Sequence, residues 1–304
     1  ATSEDGQVWY NSTTGNLRLQ GIGAWSSGGN MGTAKGQGAG TGTQTAAIVA
    51  GGHNGTSPVN TSESYNGTSW TNSPTLGTSR TALSSAGTAP STASLVFGGY
   101  LGPPFSPPQI SGTTEEYNGS SWGEQNNLST SRYALYGFGT QTAAVGVGGD
   151  ANPLTTAVEE YDGTNWTAGG ALGTAKYTGG SSGTLTAGLI FGGRVPAVIN
   201  ATEEYDGSSW TTGGNLGAAV GNNRGAGTQT SSLSFGGQLP PTTANTEGYD
   251  GTSWSTRPSM ALARNNAASA GSSSASALNA GGYSTANVVT TEEYNLSTAN
   301  LSTS

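Results

Sequence analysis

The sequence predicts an all-β fold, a six-bladed β-propeller, from two repeated signatures. The first is the motif Glu-x-Tyr-(Asn/Asp)-Gly-(Ser/Thr)-x-Trp, whose tryptophans from Trp122 to Trp254 stand 44 residues apart (166−122, 210−166, 254−210). The second is a Gly-Gly pair that closes a short apolar run, beginning at Gly51, Gly98, Gly148, Gly192, Gly236 and Gly281. Repeats of about 40 to 50 residues with four strand-like segments each are typical of propeller blades.

The unit that ends at Trp210 shows the four strands of one blade in order. An inner hairpin starts near Thr174, turns at Gly183 and returns through an apolar run to Gly192-Gly193. After a loop, the Glu-x-Tyr strand leads through Asp206-Gly207 into the outer strand. Asn-Gly and Asp-Gly dipeptides between extended segments favour tight type I′ turns. Each unit is therefore predicted to be an antiparallel meander.

The second strand of each unit alternates apolar and small residues with a period of two. This pattern places an aliphatic side chain three residues before each Gly-Gly pair, at Ile48, Leu95, Val145, Leu189, Leu233 and Leu278. Because alternate residues of a strand share one face, we expect these side chains to point into the core between blades.

The repeat is incomplete at both ends of the chain. The Glu-x-Tyr strands contain Tyr65, Tyr117, Tyr161, Tyr205, Tyr249 and Tyr294, and the outer strands contain Trp25, Trp70, Trp122, Trp166, Trp210 and Trp254. No Trp follows Tyr294, and no Glu-x-Tyr strand of the usual kind precedes Trp25. We therefore expect the N-terminal strand around Trp25 to complete the last blade, which leaves no open sheet edge. A seven-bladed ring is the alternative.

The chain is expected to divide into an N-terminal extension, residues 1–20, and the propeller, residues 21–304. In the extension, Val8-Trp9-Tyr10 and Leu17-Arg18-Leu19 flank a polar segment that contains Gly15. Two short apolar runs around a turn predict a small hairpin outside the ring.

The composition excludes several functional classes. Only 9% of the residues are charged and there is no Cys, so disulfides, thiolate metal sites and a thiol nucleophile are ruled out. The formal net charge of −8 disfavours nucleic acid and anionic membranes as partners. No apolar stretch approaches the length of about 18 residues that membrane insertion requires. A protein of a virion or of the extracellular space is expected.

The Gly-Gly pairs with the following Tyr and Trp resemble the kelch repeat, and the resemblance covers residues 21 to 295. More narrowly, Thr-Glu-Glu-Tyr-Asp-Gly-Ser-Ser-Trp at residues 202–210, together with Gly-Thr-Gln-Thr-Ala at 42–46 and 139–143, is similar to kelch-type repeats in virion structural proteins of marine bacteriophages. Residues 8–18 are similar to segments of phage tail-fibre and appendage proteins. The resemblance implies a virion structural or appendage protein.

Each blade repeats a glutamate two residues before its tyrosine, at Glu63, Glu115, Glu159, Glu203, Glu247 and Glu292, and usually a second one beside it. A pair of carboxylates could act as the general acid and general base of a catalytic site. A catalytic pair is needed only once, however, so recurrence in every blade indicates a structural role. The expected partners are cations that precede the inner strands, at Lys35, Arg80, Arg132, Lys176 and Arg264, with Val220 as the exception. The alternative is a cationic rim that binds an anionic glycan or a carboxylate of a partner.

The sequence predicts no catalytic residue, no cofactor and no metal site, and hence no enzyme. Kelch oxidases that resemble galactose oxidase need histidines at copper and a Tyr crosslinked to Cys, whereas this chain has His53 alone and no Cys. The Asp boxes of sialidase propellers space Asp and Gly differently from Asp162-Gly163. A Ser-His-Asp triad would have to use His53, in a glycine-rich loop.

The loops after the Gly-Gly pairs vary most between blades and should emerge on one face of the ring, where propellers commonly bind. The longest loop carries two Pro-Pro pairs, and large apolar groups in a solvated loop indicate a contact site. Shorter loops in two other blades repeat its composition. The predicted partner-binding residues are Tyr100, Leu101, Phe105, Ile110, Val195 and Leu239. The alternative is that the long loop covers the channel mouth and buries its own apolar groups.

We therefore expect a non-catalytic virion structural or appendage protein. Its partner would be another virion component or a host-surface receptor or glycan. The alternative is a secreted lectin-like or carbohydrate-active propeller, which a unique polar constellation in a pocket would favour.

Overall fold

The computed structural model describes residues 8–11, 16–20, 23–105, 108–296 and 298–301, without the side chains of residues 8–11, 16–20, 104–105, 108 and 298–301. These residues contain no helix, and their main sheets are six four-stranded blades arranged as a ring. The all-β, six-bladed propeller predicted from the repeats is confirmed.

The strands follow the chain from blade to blade. The N-terminal strands are β1 (Val8–Asn11), β2 (Asn16–Gln20) and β3 (Ala24–Ser27). Blade 1 contains β4 (Ala39–Thr43), β5 (Ala46–Ala50), β6 (Ser62–Tyr65) and β7 (Trp70–Ser73). Blade 2 contains β8 (Ser84–Ser85) and β9 (Ser94–Phe97), an inserted hairpin of β10 (Tyr100–Phe105) and β11 (Pro108–Ile110), then β12 (Thr114–Tyr117) and β13 (Trp122–Gln125).

Blades 3 to 6 repeat this order. Blade 3 contains β14 (Tyr136–Thr140), β15 (Ala143–Val147), β16 (Val158–Tyr161) and β17 (Trp166–Ala168). Blade 4 contains β18 (Gly180–Thr184), β19 (Ala187–Phe191), the small hairpin β20 (Arg194–Val195) and β21 (Ala197–Val198), then β22 (Thr202–Tyr205) and β23 (Trp210–Thr212). Blade 5 contains β24 (Arg224–Thr228), β25 (Ser231–Phe235), β26 (Thr246–Tyr249) and β27 (Trp254–Arg257). Blade 6 contains β28 (Ala268–Ser273), β29 (Ser276–Ala280) and β30 (Thr291–Asn295), and β31 (Thr298–Leu301) follows it.

The N-terminal strand closes the ring. Strand β3 pairs antiparallel with β30, with Trp25 opposite Tyr294 and Ser27 opposite Glu292, and so becomes the outer strand of blade 6. Strands from the two ends of the chain therefore complete one sheet, and no blade of the ring lacks its fourth strand.

A three-stranded sheet lies apart from the blades. Strand β1 pairs with β2, and the C-terminal strand β31 pairs with the other edge of β2, with Leu17 opposite Leu301 and Gln20 opposite Thr298. The sequence pattern predicts only the hairpin of β1 and β2, because the C-terminal segment lacks a repeat motif. The structure thus brings both ends of the described chain into one small sheet.

The core lies between neighbouring blades rather than at the centre of the ring. The aliphatic residues three positions before the Gly-Gly pairs are all at most 1% exposed, as the alternation predicts. The indole rings of the outer strands pack edge-on against phenylalanines of the preceding blade, with centroid distances of 4.9 Å for Trp166–Phe97, 4.7 Å for Trp254–Phe191 and 5.1 Å for Trp25–Phe235. Aromatic pairs in this geometry stabilise beyond the area that they bury.

The same tryptophans donate hydrogen bonds across the blade boundary. Each Nε1 donates to the hydroxyl of a threonine in the third strand of the preceding blade, at 2.9 to 3.0 Å, in the pairs Trp25–Thr246, Trp70–Thr291, Trp166–Thr114 and Trp254–Thr202. Blade 3 has Val158 at this position, and Trp210 donates to the Gly170 carbonyl oxygen instead. Blade 1 has Ser62, and neither Trp122 Nε1 nor Ser62 Oγ has a hydrogen-bond partner among the described residues.

The Asn-Gly and Asp-Gly connections are four-residue loops, so the type I′ turn predicted from these dipeptides is wrong. Tyr65 lies opposite Trp70, and only Gly67 of the first dipeptide has a positive φ, +89°. Asn66 Oδ1 accepts hydrogen bonds from the N–H groups of Thr68 and Ser69 at 3.0 and 2.8 Å. The side chain therefore closes an Asx turn, a preference of Asn and Asp that competes with the tight hairpin.

Replacing Ser62 with Thr should stabilise the protein. The methyl group of threonine restricts χ1, and four other blades show a threonine hydroxyl held where it accepts from the indole N–H, so we expect the free energy of unfolding to rise by about 1 kcal/mol. Urea unfolding checks this. In a Trp122→Phe background, which lacks the indole N–H, Ser62→Thr should have no such effect, and an equal gain in both backgrounds would show that the added methyl group is the cause.

Candidate functional site

A closed ring of backbone hydrogen bonds surrounds the mouth of the central channel. It is formed by one residue from each blade, all in the left-handed conformation with φ between 50° and 59°: Gln37, Ala82, Ala134, Thr178, Asn222 and Asn266. Each backbone N–H donates to the carbonyl oxygen of the equivalent residue in the preceding blade, at 2.5 to 3.1 Å, and Gln37 completes the circle by donating to Asn266. The left-handed conformation costs L-residues of order 1 to 2 kcal/mol each, and the hydrogen bonds between blades offset part of this cost.

At two further positions near this mouth, the backbone has the same arrangement in every blade. The six left-handed residues of the hydrogen-bonded circle are called the ring residues. The residue before each ring residue forms an isolated antiparallel bridge with the residue after a Gly-Gly pair: Gly36 with His53, Thr81 with Tyr100, Tyr133 with Asp150, Tyr177 with Arg194, Gly221 with Gln238, and Asn265 with Tyr283. The ring residues, together with the residues of these bridges, are the mouth positions, and the side of the propeller that carries them is the loop face. Their backbone repeats but their side chains do not, so the fold does not select these side chains.

The two halves of the mouth differ in chemistry. Across blades 2 to 4 the mouth is aromatic, with Tyr100 and Tyr133 rings 5.7 Å apart. Tyr133 donates its hydroxyl to Asp150 Oδ2 at 3.0 Å, and burial together with this carboxylate raises the pKa of Tyr133 to about 12. Across blades 5, 6 and 1 the mouth is rich in amides, and a cleft of about 610 Å³ lies there.

A second cavity of about 280 Å³ lies in the channel beneath the mouth. Its wall consists mainly of small residues of the inner strands, together with Tyr133, Tyr136, Tyr177 and Arg224. Arg224 braces two neighbouring blades, because its Nε donates to the Ala267 carbonyl oxygen and its Nη1 to that of Asn223. Burial lowers the pKa of Arg224 to about 10.

The predicted contact loop forms the hairpin of β10 and β11 on the loop face. Tyr100 is buried, Ile110 lies opposite it and is half-buried, and Leu101 is 36% exposed. The Phe105 side chain lies outside the described residues, although its backbone belongs to β10. A side chain built at Gly102 would touch Pro58 at 3.6 Å, so the hairpin reaches toward the loop of blade 1.

The other two predicted contact residues are more enclosed than the hairpin. Val195 is half-buried in the small hairpin of β20 and β21. Leu239 is also half-buried and packs against the core cluster that contains Leu216 and Val220. Both lie on the loop face, but Leu239 directs part of its surface into the core.

Sequence reasoning missed Tyr283, which is 45% exposed. Among the side chains that the structure describes, Leu101 and Tyr283 are the exposed large hydrophobic residues, and both are on the loop face. The signal was present in the sequence, because Tyr283 follows its Gly-Gly pair directly, as Tyr100 does.

The first glutamate of each pair is engaged in the blades. Salt bridges join the predicted cations to these carboxylates at 3.5 Å for Lys35–Glu63, 2.7 Å for Arg80–Glu115, 3.1 Å for Arg132–Glu159 and 3.3 Å for Arg264–Glu292, and Lys176 contacts Glu203 in the same way. This structural role is confirmed for all five predicted cations, because each has its expected glutamate as partner.

The blade 2 pair shows what these charges do. Burial lowers the pKa of Arg80, and the carboxylate of Glu115 opposes this shift. Arg80 Nη1 also donates to the carbonyl oxygens of Gly98 and Thr113, at 2.8 and 2.5 Å. Glu115 Oε2 accepts the N–H of Gly77 at 2.7 Å. The pair therefore fastens the segment that leads into the blade onto the second and third strands.

The second glutamate accepts a hydrogen bond from the tyrosine of the next blade. The hydroxyl–carboxylate distances are 3.0 Å for Tyr161–Glu116, 2.6 Å for Tyr249–Glu204 and 2.5 Å for Tyr65–Glu293, and Tyr205 donates to Glu160 in the same way. Burial and these carboxylates raise the pKa of Tyr65, Tyr205 and Tyr249 to about 12. Blade 1 has Ser64 at the glutamate position, and Tyr117 donates to the Gly119 carbonyl oxygen instead.

In the part of the chain that the structure describes, no three His, Asp or Glu side chains are grouped to hold a metal ion. The same residues include no helix long and apolar enough to cross a membrane.

No protein-family model matches the chain, and no curated protein matches it. A solved structure described as that of YjhT is similar to the chain, with a TM-score of 0.71 and 13% sequence identity, over 89% of this chain and 99% of that chain. In total 254 solved chains match. Because propellers with many different functions share this scaffold, the likeness shows the fold and not the function.

Replacing Glu159 with Gln should destabilise the protein strongly. The Arg132 guanidinium would stay buried without its countercharge, so we expect the free energy of unfolding to fall by about 3 kcal/mol. Urea unfolding measures the loss. Glu124→Gln, which removes an exposed carboxylate from β13, is the control and should change stability by less than about 0.5 kcal/mol. Equal effects of the two substitutions would contradict the assigned role.

Stability should fall in alkaline solution as the tyrosines that bridge blades ionise. The pKa of Tyr249 is raised from 10.0 to about 12, so its hydrogen bond contributes fully below pH 10 and the contribution is lost between pH 10 and 12. We expect the free energy of unfolding to decline less steeply over this range in Tyr249→Phe than in the wild type. Urea unfolding at several pH values measures the slope, and Tyr283→Phe serves as the exposed control. Identical slopes for wild type and Tyr249→Phe would contradict the prediction.

Proposed function

We propose that this protein is a non-catalytic, kelch-like virion structural or appendage protein that binds another virion component or a host-surface receptor or glycan through its loop face. One observation carries the proposal. The two exposed large hydrophobic side chains among those described, Leu101 and Tyr283, lie on this face. Tyr283 is a mouth position and Leu101 follows another, Tyr100, and the side chains at mouth positions vary on a repeated backbone. Exposed apolar groups on a surface that the fold does not constrain indicate a contact site.

The use of the carboxylates supports a role without catalysis. The glutamates that resemble an acid and base pair are divided between two structural tasks, with Glu159 held by Arg132 and Glu160 by the Tyr205 hydroxyl. The same division recurs in blades 2, 4 and 6. A carboxylate that is held by a fixed cation or phenol inside a blade is not available to a substrate.

The position of the β10–β11 hairpin supports docking rather than closure of the channel. None of its described residues lines the channel cavity or the amide-rich cleft. Instead the hairpin rises from blade 2 beside Pro58 of blade 1, with Leu101 exposed. Its prolines limit the conformations that are lost when a partner binds.

The alternative is a secreted lectin-like or carbohydrate-active propeller. The amide-rich cleft in blades 5, 6 and 1 favours it, because this cleft is a single non-repeated polar group of residues. Sedimentation separates the two functions. A virion component sediments with virus particles, whereas a secreted lectin is recovered free.

Leu101→Asp should weaken docking to a protein partner. Density-purified particles from the source of this chain are first tested for the protein by mass spectrometry, and solubilised particle proteins are then passed over the immobilised wild type and variant. We expect retention of a particle protein by the wild type and a loss of at least about tenfold in affinity for Leu101→Asp, because a charge would replace an apolar contact.

Ser120→Ala is the matched control, since Ser120 lies in a turn between third and fourth strands, on the opposite side of the ring. It should bind as the wild type does, and thermal melting should show both variants folded. Absence of the protein from purified particles, or equal retention by Leu101→Asp and wild type, would overturn the proposal.

A further inference from the structure

The cleft in the loop face opens where blade 1 has glycine at a position that is tyrosine in two other blades. Blades 3 and 4 place Tyr133 and Tyr177 directly before their ring residues, whereas blades 1 and 5 place Gly36 and Gly221 there. Neither glycine has a positive φ, so the backbone does not require glycine at these positions. Gly36 lines the cleft of about 610 Å³, and a side chain there would reach toward Asn287. The space beside Gly221 is instead taken by Arg194 and Val198 of blade 4.

Half of the residues that line this cleft are Asn or Gln, and several of these amides have one end fixed. Asn287 Nδ2 donates to the His53 carbonyl oxygen at 2.7 Å. Asn266 Nδ2 donates to Asn265 Oδ1 at 2.9 Å, and Gln238 Oε1 accepts from Arg194 Nη2 at 2.7 Å. Each of these bonds orients an amide and leaves its other end for a ligand. The cleft therefore offers both donors and acceptors in set directions.

No Asp, Glu, Lys or Arg lines the cleft in the part of the chain that the structure describes. His53 is the one imidazole in the lining, so a charged ligand would lose its hydration there without a carboxylate, ammonium or guanidinium group as countercharge, which is costly. A neutral ligand that carries many hydroxyls, each both donor and acceptor, matches such a wall. Tyr283 adds an exposed aromatic ring to the lining, on which the apolar C–H face of a pyranose can pack. The volume lies within the range of about 300 to 1,000 Å³ that is typical of small-molecule sites.

We propose that this cleft binds a neutral saccharide, with Asn222 and Asn266 as hydrogen-bonding residues and Tyr283 as the stacking platform. The inference deepens the proposed function, because it names a ligand class for one half of the same loop face. It assigns sugar recognition to blades 5, 6 and 1, and leaves protein docking to the β10–β11 hairpin.

The test is binding of a defined sugar panel to the full chain. Saturation-transfer NMR and calorimetry are run with glucose, galactose, mannose, N-acetylglucosamine and N-acetylgalactosamine and with disaccharides of each, and with galacturonate as an acidic counter-probe. We expect at least one neutral sugar to bind and galacturonate to bind more weakly than galactose. If no neutral sugar binds, or if galacturonate binds more tightly than every neutral sugar, the proposal is overturned.

The variants locate the site without disturbing the ring. The double variant carries Asn222→Ala and Asn266→Ala. Alanine already occupies this left-handed position in blades 2 and 3, as Ala82 and Ala134, so the ring should tolerate it in blades 5 and 6. This double variant and Tyr283→Ala should each raise Kd for the sugar by about fivefold or more. Thr178→Ala, at the same ring position but outside the cleft, should leave Kd unchanged.

Unchanged Kd in both cleft variants would overturn the site even if a sugar binds. Failure here is distinguishable from failure of the proposed function, because Leu101→Asp tests the hairpin on a different part of the face. Sugar binding that survives Leu101→Asp, and partner retention that survives the double variant, would show two separate sites.

Discussion

The pairing of β3 with β30 is the contact on which the rest of the structure depends. A ring of blades has no central core, so each sheet is stabilised by its two neighbours, and an unclosed ring would leave two blades with one exposed side each. The Trp25–Tyr294 register joins the two ends of the chain and so provides every blade with a neighbour on both sides. Among the described residues, Trp-to-Thr and Tyr-to-Glu hydrogen bonds then join neighbouring blades at four boundaries each, including Tyr65 with Glu293 across the closure.

Charge is scarce in this chain and is concentrated where the blades are assembled. Salt bridges such as Arg80–Glu115 are buried, with side chains at most 1% exposed, and each joins the incoming segment to its blade. A buried ion pair contributes little net stability compared with apolar residues, but it penalises any arrangement that separates the two charges. These pairs therefore specify the position at which each connecting segment docks on its blade. As a result, the loop face is left mostly to uncharged polar and aromatic side chains.

The blades could be predicted from the sequence because they depend on residues that repeat, whereas the mouth could not. Trp, Tyr, Gly-Gly and the alternating aliphatic residues have the same task in every blade, so their spacing reveals strands, partners and closure. The hydrogen-bonded ring has no such signature, since Gln37, Ala82 and Thr178 share its conformation but no side-chain property. The cleft was missed for a related reason: it opens beside Gly36, and the absence of a side chain there becomes meaningful only next to Asn266 and Asn287 in three dimensions.

The hydrogen-bonded ring also determines how this surface can evolve. Its links use backbone atoms alone, and four residue types, Gln, Ala, Thr and Asn, already occupy the six positions. Exchange of these side chains is therefore expected to cost little folding free energy, as long as the new residue tolerates the left-handed conformation. A library limited to residues that tolerate this conformation and keep the backbone N–H would therefore preserve the closed circle while it varies the chemistry of the mouth, as the hypervariable loops of an antibody vary on a constant framework.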